Sequence, residues 1–151
     1  MESENTHLTV KFIGEIDPAK VDGVKAAVAR AAAAMQPFEM SVRGAGSFPA
    51  GRPRVIWVGV EEKTGVLSRL HEELELALEP LGVESEGREF TAHLTLGRVR
   101  SGRNVRDLMK LLSVENPAEL GDSQVESLTL FESKLTPQGP IYSPLAKIRL
   151  G

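Results

Sequence analysis

Apolar residues occupy every second position through HLTVKFI at residues 7–13, with Leu8, Val10 and Phe12 on one side and His7, Thr9 and Lys11 on the other. That period is a strand's, and Gly14 ends it. The period then lengthens. Val21, Val24, Val28, Ala31 and Met35 recur at helical spacing, behind Pro18 at a favoured first position and Asp17 as a candidate N-cap. The alanine-rich stretch 26–34 reads as a closely packed helix, since alanine is the best helix former. Phe38, Met40 and Val42 alternate with Glu39, Ser41 and Arg43 in a second strand, followed by a predicted loop over 44–51. Residues 55–61, VIWVGVE, are β-branched and aromatic, so they read as a strand with Trp57 in the core. Val66, Leu67, Leu70, Leu74, Leu78 and Leu81 predict an amphipathic helix capped by Thr64 and stopped by Gly82.

The second half repeats this outline. In EFTAHLTLGRV, residues 89–99, Phe90, Ala92, Leu94 and Leu96 share one face, while Thr91, His93 and Thr95 share the other. A helix is predicted over 104–113 on Val105, Leu108, Leu111 and Leu112. Strands at 124–135 and 141–150 flank Thr136-Pro137-Gln138-Gly139-Pro140, a turn signal. Helices and strands mixed along the whole length predict a mixed α/β or α+β fold with two similar halves. With no linker in 151 residues, one domain spanning 1–151 is expected.

Composition narrows the possibilities. Hydrophobic residues at 41% and charged residues at 26% exclude global disorder. No apolar run approaches the roughly 20 residues that span a bilayer. The polar, acidic residues 1–5 do not resemble a secretory signal, so a cytoplasmic protein is expected. The chain has no cysteine, which excludes disulfides, thiolate nucleophiles and cysteine-based zinc sites. A net charge of −3 gives no strong long-range pull on nucleic acid. The charges are unevenly spread, however. Arg98, Arg100, Arg103 and Arg106 fall close together, Arg52 and Arg54 flank Pro53, and glutamates gather between 72 and 89. Such a basic strip can hold a few phosphates, although a charge run is as often a solvated face.

Two of the three histidines, His7 and His93, begin identical His-Leu-Thr triplets on predicted strands. The strand period puts each histidine on the same side as its threonine, with leucine opposite. Should the strands lie together, two imidazoles and two hydroxyls converge. An imidazole titrates near ~6.5, so one ring can accept a proton while another donates one close to neutral pH. Threonine hydroxyls can donate to phosphate oxygens where charge must be held. This chemistry requires no metal, cofactor or covalent nucleophile. Zinc is the competing use of two histidines, but neither triplet offers a matching carboxylate ligand. His71, between Leu70 and Glu72, reads as a surface or flanking residue.

The duplicated His-x-Thr resembles the hallmark of the two-histidine phosphoesterases. The surrounding residues are most similar to the RNA 2',3'-cyclic phosphodiesterase branch, historically called 2'-5' RNA ligases. The matching stretches run in family order from His7-Leu8-Thr9-Val10-Lys11-Phe12-Ile13-Gly14-Glu15, through Gly46-Ser47-Phe48-Pro49 and Pro53-Arg54-Val55-Ile56-Trp57-Val58-Gly59. They continue to His93-Leu94-Thr95-Leu96-Gly97-Arg98 and Leu135-Thr136-Pro137-Gln138-Gly139-Pro140-Ile141-Tyr142. The resemblance implies a LigT-like α+β fold of two pseudo-symmetric α/β lobes with antiparallel sheets flanking a central cleft. It implies hydrolysis of an RNA 2',3'-cyclic phosphate end to a 2'-phosphate, and in some members ATP-independent 2'-5' joining of tRNA halves. By position, His7 and His93 match the catalytic pair, Thr9 and Thr95 the phosphate-binding threonines, and Arg98 a phosphate-binding basic residue. One assignment makes His7 the acid and His93 the base; pseudo-symmetry allows the reverse. Phe48 is a candidate to stack on an unpaired base. Family members usually carry about one strand and one helix before the first motif, so that segment is expected to be missing here. Two other readings stay open: a phosphodiesterase for a small nucleotide, and a non-catalytic RNA-end binder.

Overall fold

A computed structural model of the protein describes residues 6–50, 52–114 and 119–151. Among the described residues there are three α-helices: α1 (Val21–Ala33), α2 (Val66–Leu78) and α3 (Val105–Val114). The strands are β1 (Phe38–Phe48), β2 (Val55–Glu61), β3 (His93–Arg98), β4 (Glu119–Val125), β5 (Ser127–Thr136) and β6 (Gly139–Arg149). The polar residues 1–5, and Gly51 at the end of the predicted loop, lie outside the described residues. This is an α+β fold, and its chain divides into two compact units, each discontinuous in sequence. One comprises Met1–Thr9, Glu39–Lys63 and Thr91–Ser123; the other comprises Val10–Phe38, Thr64–Phe90 and Gln124–Gly151. The units are therefore not the two sequence halves, because β3 pairs with β2 and Leu8 bridges to Leu94 within β3.

The first unit is built on a four-stranded sheet in the order β3-β2-β1-β4. The segment predicted as a loop over 44–51 is instead strand as far as Phe48. Glycine explains the difference. Gly44, at φ 67, takes up a bulge between Arg43 and Ala45, a conformation that favours glycine. Gly46 lies opposite Trp57, and a Cβ there would overlap the indole ring. Val58 and Val60 are buried on one face of β2. The Ser47 hydroxyl, also buried on that side, donates to Met109 Sδ of α3 at 3.8 Å.

In the second unit α1 packs against α2 and against the β5–β6 hairpin. Ala27 and Ala32 are wholly buried, as are Leu70 and Leu78, so small residues on α1 allow a close approach. Asp17 caps the start of α1's leading turn, its carboxylate accepting from the Ala19 N–H at 2.9 Å. The N-cap of α2 is Gly65, at φ 75, and not the expected Thr64. Gly82 terminates that helix region at φ 84. The hairpin turns tightly between Thr136 and Gly139, which are cross-strand partners.

Residues 7–13 depart most from the sequence reading. They form no strand; a single antiparallel bridge joins Leu8 to Leu94. Beyond it, the polar groups of residues 10–12 find side-chain partners instead of a sheet neighbour. His71 Nδ1–H donates to the Val10 carbonyl at 2.8 Å, and the Phe12 N–H donates to Glu86 Oε1 at 3.2 Å. Lys11 pairs with Glu75 and donates to the Glu84 carbonyl at 2.7 Å. Phe12, assigned to an apolar face, is 71% exposed. His71, read as a surface residue, is buried and stacks on Phe90 with ring centroids 4.6 Å apart. Burial opposes charge on Glu75, but the Lys11 ammonium together with donors from Ser85 and Glu86 outweighs it, so the carboxyl titrates below its ordinary value.

Candidate active site

The site rests on strand register. Leu8 faces Leu94 in an antiparallel bridge. It follows that His7 is set opposite Thr95, and Thr9 opposite His93. In such a pair the two histidines are diagonal neighbours, roughly 7–8 Å apart at the backbone. Within β3, Leu94 takes the face opposite His93 and Thr95, and the bridge brings His7 and Thr9 alongside that strand. The two triplets thus meet about a local two-fold centred between Leu8 and Leu94. His7, His93 and Thr95 are half-buried, and Thr9 is exposed.

On its other edge β3 pairs with β2, with Gly59 opposite His93, Val58 opposite Leu94 and Trp57 opposite Thr95. The register then slips, so that Gly97 faces Ile56 and Arg98 faces Val55. The extra residue, Leu96, is a bulge. Strict alternation would put Arg98 on the leucine side of β3; the bulge returns it to the side of His93 and Thr95. The same bookkeeping carries across β1, where Gly46 faces Trp57 and Phe48 faces Val55. His93, Thr95, Arg98, Trp57, Gly46 and Phe48 therefore all lie on one face.

Ring contacts bear this out. Phe48 meets His93 edge-on at 5.2 Å and Trp57 at 5.1 Å, while Trp57 lies 6.2 Å from His93. Trp57, assigned to the core from its apolar strand, is half-buried and belongs to this face. Its signal in the sequence is the pair of glycines at 44 and 46 inside an otherwise strand-like run, which marks a close approach. A concavity of about 500 Å³ on the same face is lined by Arg43, Trp57, Gly59, Glu61 and Thr91, among others. Arg43 pairs with Glu61 there at 3.3 Å.

His93 Nδ1 lies 2.7 Å from the Thr91 carbonyl. A carbonyl only accepts, so Nδ1 carries the proton of this contact and Nε2 takes no part in it. The two basic groups also meet, because the Val99 N–H donates to the Arg54 carbonyl at 2.9 Å. Arg52, Arg54, Arg98 and Arg100 are all exposed. Among the described residues, no three His, Asp or Glu side chains are grouped to hold a metal ion, and no helix is long and apolar enough to cross a membrane.

This fold is that of the LigT-like proteins. A Thermus thermophilus protein, TT0787, superposes with a TM-score of 0.81 at 30% identity, over 99% of this chain and 80% of its own. Escherichia coli LigT complexed with 3'-AMP superposes with a TM-score of 0.78 at 24% identity, over 99% and 79%. The profile of the 2'-5' RNA ligase superfamily matches residues 2–136, and the chain belongs to that superfamily. A relative from Aeropyrum pernix, named RNA 2',3'-cyclic phosphodiesterase, is 40% identical over 99% of this chain and 84% of its own length. A relative of the same name from Methanothermobacter thermautotrophicus is 38% identical over 99% and 81%.

Proposed function

We propose that the protein is a metal-independent RNA 2',3'-cyclic phosphodiesterase of the cytoplasm, with His7 and His93 as its acid–base pair. The observation that carries this reading is the Leu8–Leu94 bridge, which turns two distant copies of one triplet into a single set of groups. The relatives named for this activity support it.

The geometry supports the following chemistry. Neutral His93 presents Nε2 as a base, its other nitrogen being committed to Thr91. It takes a proton from water as the water oxygen bonds to phosphorus. The bond from phosphorus to the 3'-oxygen breaks, and His7 delivers a proton to that oxygen. The products are a 2'-phosphate and a free 3'-hydroxyl. Thr9 and Thr95 donate to the non-bridging oxygens, whose charge grows in the transition state. Arg98 supplies the compensating cation. Phe48, 38% exposed at the end of β1, offers a surface for the terminal base. With a 5'-hydroxyl in place of water, the same displacement joins RNA ends, including tRNA halves, through a 2'-5' bond.

The test is hydrolysis of an RNA ending in a 2',3'-cyclic phosphate by His7→Ala and His93→Ala. Each variant is expected to lose about 10²- to 10⁴-fold in kcat while remaining folded. Near-normal turnover in both would overturn the assignment.

A further inference from the structure

The Trp57 indole is the least expected member of the face. Its Nε1 is buried with no hydrogen-bond partner among the described residues, although a buried N–H ordinarily finds one. Phenylalanine at this position would carry no such unpaired donor. Something offsets that cost, and the neighbours show what the second ring does. The indole lies over Gly46, where any Cβ would collide with it, and from there it reaches both Phe48 and His93. Phe48 meets the imidazole edge-on, and the Thr91 carbonyl holds Nδ1. The imidazole is thus bounded by two aromatic rings and tied at one nitrogen, which leaves Nε2 with one direction to face.

We infer that Trp57, seated in the space left by Gly46, is a positioning residue for His93: it fixes the imidazole's rotamer and so aims Nε2. This rests on the catalytic reading of His93. Trp57 itself needs no contact with substrate. Misdirecting a catalytic group by about 1 Å can cost on the order of 100-fold in rate. Binding of the phosphate, assigned to the threonines and Arg98, should be left largely intact. The signature is therefore a fall in kcat at nearly constant KM.

The experiment compares Trp57→Phe, Trp57→Leu and Gly46→Ala on a 2',3'-cyclic mononucleotide, each in wild-type and His93→Ala backgrounds. Thermal melts and the His93 ring proton shifts are recorded alongside. Trp57→Leu is expected to lose about 100-fold in kcat with KM within about threefold, and Trp57→Phe to recover part of the loss. Gly46→Ala, which leaves all three rings in the sequence but displaces the indole, should lower kcat and move the His93 signals. In the His93→Ala background the Trp57 substitutions should cost nothing further, because groups acting as a unit are not additive. The inference is overturned if folded Trp57→Leu keeps kcat, or if its loss appears in KM. It is equally overturned if the same loss persists without His93, or if Gly46→Ala leaves both kcat and the ring shifts unchanged. Should Trp57→Leu fail to fold, Trp57→Phe and Gly46→Ala decide by the same criteria. Normal turnover by His93→Ala alone would instead sink the underlying catalytic reading.

Discussion

The two His-Leu-Thr triplets are identical in sequence and differently paired. His93-Leu94-Thr95 lies within β3, paired residue by residue with β2, and its imidazole is held by Thr91, Phe48 and Trp57. His7-Leu8-Thr9 has one bridge, at Leu8, and the residues that follow it are tied down by side chains near and on α2. Similar groups are thus brought together by two different pairings, a ladder for residues 93–95 and an isolated bridge for residues 7–9. Local sequence identity reports the chemistry a segment can do; its neighbours decide how firmly that chemistry is aimed.

The largest effects should ignore the difference. If both histidines transfer protons in the same step, His7→Ala and His93→Ala should fall by similar factors, and the double variant should be little worse than either. A much smaller loss for His7→Ala would show the triplets to differ in chemistry as well as in pairing. The threonines should separate the two more finely. Thr95→Val removes a donor from a half-buried strand position, and Thr9→Val removes one from an exposed position. Charge-assisted hydrogen bonds contribute about 1.5–3 kcal/mol, so losses of about 10- to 100-fold in kcat/KM are expected, greater for Thr95. Steady-state kinetics on a cyclic mononucleotide would reveal the order.

Smaller effects should fall on stability. Lys11→Met strands the Glu75 carboxylate, whose side chain is only 15% exposed, and should destabilise the fold by about 2 kcal/mol in urea unfolding. The same variant leaves the β3 triplet's contacts untouched. The smallest effect is one of pH. Because the Glu75 carboxyl is held below its ordinary value in the folded state, it contributes stability that is present above the unfolded carboxylate pKa. That contribution disappears as pH falls through the lowered folded value. Glu75→Gln should therefore flatten the acid limb of the stability profile while costing little once the wild-type carboxyl is itself protonated. An unchanged acid limb in thermal melts would remove Glu75 from this role.

Much of the molecule is legible from pattern alone. Helices α1, α2 and α3 and most of the strands fall where period and punctuation put them, because 3.6- and 2-residue repeats report which face is buried. The family was legible too, since core packing gives no reason to duplicate His-x-Thr and the pattern matches the superfamily to which the chain belongs. What failed did so for reasons of pairing. Residues 7–13 have a strand's alternation but lack a full partner, and strand structure requires one. The glycines at 44 and 46 look like a loop until a bulge and an overlying indole account for them.

Composition and period along the chain were thus enough to nominate side chains for acid–base work on a phosphate, and to set out most of the segments that are helical or extended. Folding in three dimensions was needed to establish that Leu8 meets Leu94, that a bulge at Leu96 turns Arg98 to the face of His93, and that Trp57 stands beside that histidine and not in the core. Register is a relation between distant segments, and shifting it by one residue exchanges the two faces of a strand.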